Sequence, residues 1–180
     1  TNITGGGLQF FRRTTYTDTN SNSGQTTELW YASNYSNNTL TDVLINLTYN
    51  TNVDDQIVFA SNYTGVNLDH PWTLSGPSIN NTLDNSNRAF VTASIAEAGS
   101  LGIAIFSVPY AENPGYALGW IGVDEINNGG AEYWEYGSFS INTFTDSQTN
   151  ITVTAQNSQN NPPNITGLTS IVDALVGYQA

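Results

Sequence analysis

Asparagine in the context Asn-X-Ser/Thr, with X other than proline, recurs at Asn2, Asn34, Asn37, Asn46, Asn62, Asn80, Asn150 and Asn164. This tripeptide accepts N-linked glycans in secreted chains, so covalent glycans are the first partner the sequence implies. None of these asparagines has an acidic residue two positions before it, which points away from the bacterial pathway and toward eukaryotic or archaeal machinery. Placement supports the reading. In Thr41 to Tyr49, TDVLINLTY, strand periodicity puts Val43, Ile45, Leu47 and Tyr49 on one face and Asn46 on the other. Asn34 and Asn37 follow the strand-like TTELWYAS, Asn62 follows QIVFAS, and Asn80 lies near Pro77 in a loop-like stretch.

Residues capable of catalysis are sparse and unmarked. His70, the single histidine, sits in LDHPW beside Asp69 without a G-x-S-x-G nucleophile motif, and reads as a structural or surface residue. Glu132 with Glu135, or Asp124 with Glu125, would be needed as paired carboxylates for glycoside hydrolysis, yet nothing distinguishes them from ordinary strand-end or loop acids. VDEINNGGAE and NTNVDD offer oxygen ligands but lack the D-x-D-x-D-G spacing of a calcium loop. Cysteine and methionine are absent, which removes thiol chemistry. No enzyme activity, cofactor or metal is expected. Trp30, Trp72, Trp120 and Trp134 could stack on sugars, which makes a secreted, lectin-like carbohydrate-binding sandwich the alternative function.

Three basic residues, Arg12, Arg13 and Arg88, stand against 15 acidic ones, for a net charge of −12. A phosphate backbone or anionic membrane is repelled by such a chain, so nucleic acid is not a partner. No segment reaches the roughly 20 apolar residues of a membrane span, and no basic, apolar leader precedes Thr1. The expectation is a mature extracellular chain, secreted or on a cell-surface appendage, with no membrane insertion.

Strand signals recur at Thr26 to Ser33, Thr41 to Tyr49, Gln56 to Ser61, Arg88 to Ile95, Ser100 to Val108, Ala117 to Val123, Glu132 to Phe144 and Ile151 to Ala155. Between them lie turn-formers such as NSNSG, DNSN, ENPG, INNGG and NNPPN. This pattern predicts an all-β fold: a single β-sandwich, immunoglobulin- or pilin-like with Greek-key connections, carrying extended terminal segments. Residues 1–25 form an N-terminal segment and linker, 26–155 the sandwich, 156–164 a polar linker with Pro162 and Pro163, and 165–180 an apolar C-terminal segment.

That last segment, ITGLTSIVDALVGYQA, is too apolar to be left in water. As a strand it places Leu168, Val172, Ala174, Val176 and Tyr178 on one side; as a helix it aligns Ile165, Leu168, Ile171, Val172 and Leu175. It can fold onto its own domain, pair with a second subunit by strand addition, or lie on a membrane surface, the last disfavoured by the lack of basic neighbours.

A sugar-coated sandwich with two separable termini resembles the subunits of donor-strand-complemented surface filaments such as archaeal threads. The resemblance covers the plan of the chain. It implies a homopolymer in which a terminal segment of one subunit fills a groove in its neighbour, usually the N-terminal segment. Here the C-terminal segment is the more apolar, so the donor residues are expected to be Leu168, Ile171, Val172, Ala174, Leu175, Val176 and Tyr178, with Leu8 to Thr17 as the other candidate. Lysine is absent, so Lys–Asn isopeptide cross-links cannot join such subunits, and their contacts must be noncovalent.

Overall fold

A computed structural model describes residues 1–18, 25–34, 40–53, 56–82, 88–109, 117, 119–129, 134–155 and 169–177; at 108–109, 125–129, 134–136 and 138 it describes the backbone only. The described elements are all strands: β1 Asn2–Gly5, β2 Phe10–Thr17, β3 Thr26–Ala32, β4 Ile45–Thr48, β5 Ser78–Asn80, β6 Phe90–Ile95, β7 Ser100–Pro109, β8 Ile121–Gly129, β9 Trp134–Phe144, β10 Gln148–Thr154 and β11 Thr169–Leu175. Among them is no helix long and apolar enough to cross a membrane.

The all-β expectation holds. The strands are distributed over one five-stranded sheet, in the order β5-β11-β7-β9-β8, and three two-stranded pairs, β1-β4, β2-β3 and β6-β10. Every pairing is antiparallel. Each face of the five-stranded sheet carries its own core. On one, Val91 and Ala93 of β6 and Val153 of β10 pack with Ala104, Phe106 and Val172. On the other, Leu29 and Tyr31 of β3, with Phe59, Tyr63 and Val66, pack around Trp72, Ile103, Phe139 and Leu175. Alternation within β7 sorts the two sets: even-numbered Ala104 and Phe106 face the β6–β10 pair, odd-numbered Ile103 and Ile105 the β2–β3 side.

Glycine makes room for rings on this sheet. A Cβ on Gly102 of β7 would come within 2.6 Å of Phe144 and 2.7 Å of Trp120, which meet edge to face with centroids 5.8 Å apart. The stretch Gln56 to Ser61, expected as a strand, forms no ladder. Its alternation survives nonetheless: Ile57 and Phe59 turn inward and lie over Gly137, and Phe59 stacks near Phe139. The apolar period sorts side chains between core and water whether or not a neighbouring strand supplies hydrogen bonds.

Candidate functional site

The C-terminal segment adopts its strand alternative. β11 lies between β5 and β7, with Ile171 opposite Ile79 on one side and Ile105 on the other, and the ladder to β7 runs from Thr169↔Ser107 to Leu175↔Leu101. Every side chain from Thr169 to Val176 is buried. Of the expected donor residues, Val172 closes the core under the β6–β10 pair and Leu175 the core under β3, while Ile171, Ala174 and Val176 are equally buried. Leu168 and Tyr178 lie outside the described residues. The chain entering and leaving this strand is held as well. Val176 N–H donates to the Pro71 carbonyl at 2.9 Å, and Asn67 and Thr73 amides donate to Val176 and Ala174.

One residue breaks the apolar run. Asp173 has a side chain 0% exposed, and its carboxylate receives Arg13 Nε at 2.7 Å, with Arg13 Nη2 at 3.5 Å from the other oxygen. Arg13 belongs to β2, so the pair ties β11 to a strand 160 residues before it. Arg13 Nη2 also donates to the Thr73 carbonyl at 3.3 Å, and its guanidinium lies 5.4 Å from the centre of the Trp72 ring. Tyr31 meets Trp72 edge to face at 5.5 Å. Four residues before Asp173 and on the same face, the Thr169 hydroxyl is hydrogen-bonded to that of Thr27 in β3. Burial pushes the Asp173 carboxyl above its ordinary range; the Arg13 hydrogen bonds, the Ala174 amide and the Arg13 charge draw it back only in part. The two-strand ribbon β2–β3 thus contacts β11 through an ion pair, a hydroxyl pair and the apolar Leu29 and Tyr31.

Sequence reasoning missed Asp173, Arg13, Thr27 and Thr169. A signal existed for the first two: an acid inside SIVDALV must find a cation if the segment is buried, and this chain offers three.

Six asparagines of the glycosylation motif fall among the described residues. Asn2, Asn34, Asn46, Asn62 and Asn150 are exposed, Asn80 is half-buried, and Asn37 and Asn164 lie outside the described residues. Asn2-Ile3-Thr4 and Asn46-Leu47-Thr48 pair directly, with Asn2 opposite Thr48 and Thr4 opposite Asn46. Ile3 and Leu47 face each other on the reverse side, leaving both motifs on one solvent-exposed face. Asn80 is engaged differently. Its Nδ2 donates to the Phe90 carbonyl at 2.7 Å, and its Oδ1 accepts from the Asn81 and Thr82 amides and the Thr82 hydroxyl.

The remaining candidates are not brought together. His70 is exposed, with Nε2 3.3 Å from Asn67 Nδ2, and its neighbour Asp69 is exposed too. Asp124 lies on β8; the side chains of Glu125 and Glu135, and all of Glu132, fall outside the described residues. Trp72 is core, Trp120 packs against the core and Phe144, and Trp30 lies under the Arg12 guanidinium at 5.8 Å. The side chain of Trp134 falls outside the described residues. Among the described residues no group of three or more His, Cys, Asp or Glu side chains could hold a metal ion. Compared with protein-family models, curated proteins and solved structures, the chain matches none.

Proposed function

We propose that this chain is the structural subunit of an extracellular, N-glycosylated filament that self-assembles by β-strand complementation, with β11 passing from one subunit to the next. The observation that carries the reading is the position of β11. Among the described strands it comes last in sequence, and yet it is an interior strand of the largest described sheet, hydrogen-bonded on both edges and buried on both faces. Removing it would open one groove bounded by β5 and β7, expose both cores, and leave Arg13 without its carboxylate. Such a groove is filled equally well by the chain's own segment, as here, or by the identical segment of a neighbour, because the contacts are the same. The polar composition of residues 156–164, with Pro162 and Pro163, suits a connection between subunits.

On this reading the five-stranded sheet and the β6–β10 pair are the two layers of a single pilin-like sandwich, with β2–β3 as a clamp over the outer face of the larger layer. The exposed sequon asparagines give the assembled surface its glycan coat, and no catalytic step is involved. Negative-stain electron microscopy of the full chain, and of a chain ending at Gln159, tests the proposal. Filaments that vanish on truncation are expected, with the shortened chain aggregating through its open groove. Isolated globules from the full chain at all concentrations would exclude it.

A further inference from the structure

Along β11 the side chains facing the β2–β3 ribbon are Thr169, Ile171, Asp173 and Leu175, and the two polar ones each meet a matched partner, Thr27 and Arg13. Both partners come from the N-terminal ribbon, not from the strands that flank β11 in its sheet. A slip of the strand by two residues preserves the backbone ladder and the inward-facing parity, so backbone bonding alone does not choose the register. The side chains do. After a slip, Ile171 or Leu175 would lie beneath Arg13, and Asp173 would be buried against apolar groups with no cation.

We infer that Arg13 and Thr27 form a register-reading clamp for the C-terminal strand of a second copy of this chain, the Arg13–Asp173 ion pair serving as the specificity contact of assembly. This rests on the reading that β11 is exchanged between subunits. The N-terminal segment is then the reader of the donated strand, and homotypic assembly follows because clamp and strand are encoded in one chain. Arg12, next to it in β2, points the other way and pairs with Glu28 at 3.1 Å. It takes no part.

Full-length Arg13→Gln and Asp173→Asn test the clamp. Arg13→Gln leaves Asp173 as a buried, unpaired carboxylate and should lower the denaturation midpoint sharply and abolish filaments. Asp173→Asn leaves Arg13 partly solvated, 22% exposed, and should lose less. The double variant replaces the ion pair by an amide pair and should regain most of both. The decisive arm unfolds and refolds the two single variants together. Where they alternate along a filament, each exchanged contact is either the native Arg13–Asp173 pair or the same amide pair that the double variant makes. Filaments containing both variants, identified by distinct mass labels, are expected. Arg12→Gln should assemble as the unsubstituted chain does. Rescue in the double variant but not in the mixture would confine the pair to a single chain and overturn both the inference and strand exchange. Failure of the double variant while the unsubstituted chain still forms filaments that depend on β11 would overturn the clamp alone. If Arg13→Gln does not fold by itself, the double variant and the mixture still decide.

Discussion

Asp173 is the residue whose chemistry is most constrained, because it is ionisable, fully buried and paired with one guanidinium. Its carboxyl is raised above the ordinary 3.8 by burial, so between that value and the raised native one the folded state holds more proton than the unfolded chain. Its contribution to stability is therefore complete below 3.8 and declines as pH climbs through the native value. Denaturant midpoints of the unsubstituted chain and of Asp173→Asn, compared at several pH values from near 3.8 upward, should show the difference moving against the unsubstituted chain as pH rises. A pH-independent difference would show that the carboxyl is not raised. Ser170 offers a second residue-scale test. Its hydroxyl is buried in β11 with no hydrogen-bond partner among the described residues. Ser170→Ala should be neutral or stabilising by about 1 kcal/mol in chemical denaturation, since the change removes an uncompensated desolvation and a single oxygen's volume.

At the scale of elements, the ribbons and the central sheet make different predictions. Gly102→Ala in β7 would drive a methyl group into the Trp120 and Phe144 rings, and should cost about 1–3 kcal/mol as the rings shift off their edge-to-face contact. Near-ultraviolet circular dichroism should report the lost ring order. On the β1–β4 ribbon, the reciprocal pairing of two glycosylation motifs sets Asn2 and Asn46 as diagonal neighbours, about 7–8 Å apart. Both side chains are exposed, whereas Asn80 commits its amide to the Phe90 carbonyl and its own turn. Glycopeptide mass spectrometry should find Asn46 more fully occupied than Asn80; the reverse order would contradict this account of the β5 turn. Element signals in the sequence were uneven for a physical reason. β3, β6, β7 and β9 show alternation or long apolar runs because they pack on a core. β5 has three residues and is held mainly by its pairing with β11, a contact remote in sequence.

For the molecule as a whole, β11 and its neighbour β7 are strands on which both cores depend, since Val172, Ala104 and Phe106 enter one core and Leu175 and Ile103 the other. Native-state hydrogen exchange should accordingly find β11, β7 and β9 amides opening only with global unfolding, and the β1–β4 ribbon exchanging first. Early exchange in β11 with protection elsewhere would mean that the strand departs without disturbing the cores. The sequence by itself determined the all-β class, the strand alternation that separates core from solvent, the positions of the Asn-X-Ser/Thr motifs, and the apolar character of the last segment, because period-two patterning and short motifs are local properties of the chain. Only the tertiary structure decided that this segment is a strand rather than a helix, that it enters between β5 and β7, and that Arg13 meets Asp173. Those outcomes depend on pairings between residues far apart in the chain, where the periodicity of a buried run is satisfied by either conformation and only the surrounding groove, with its one matched cation, selects between them.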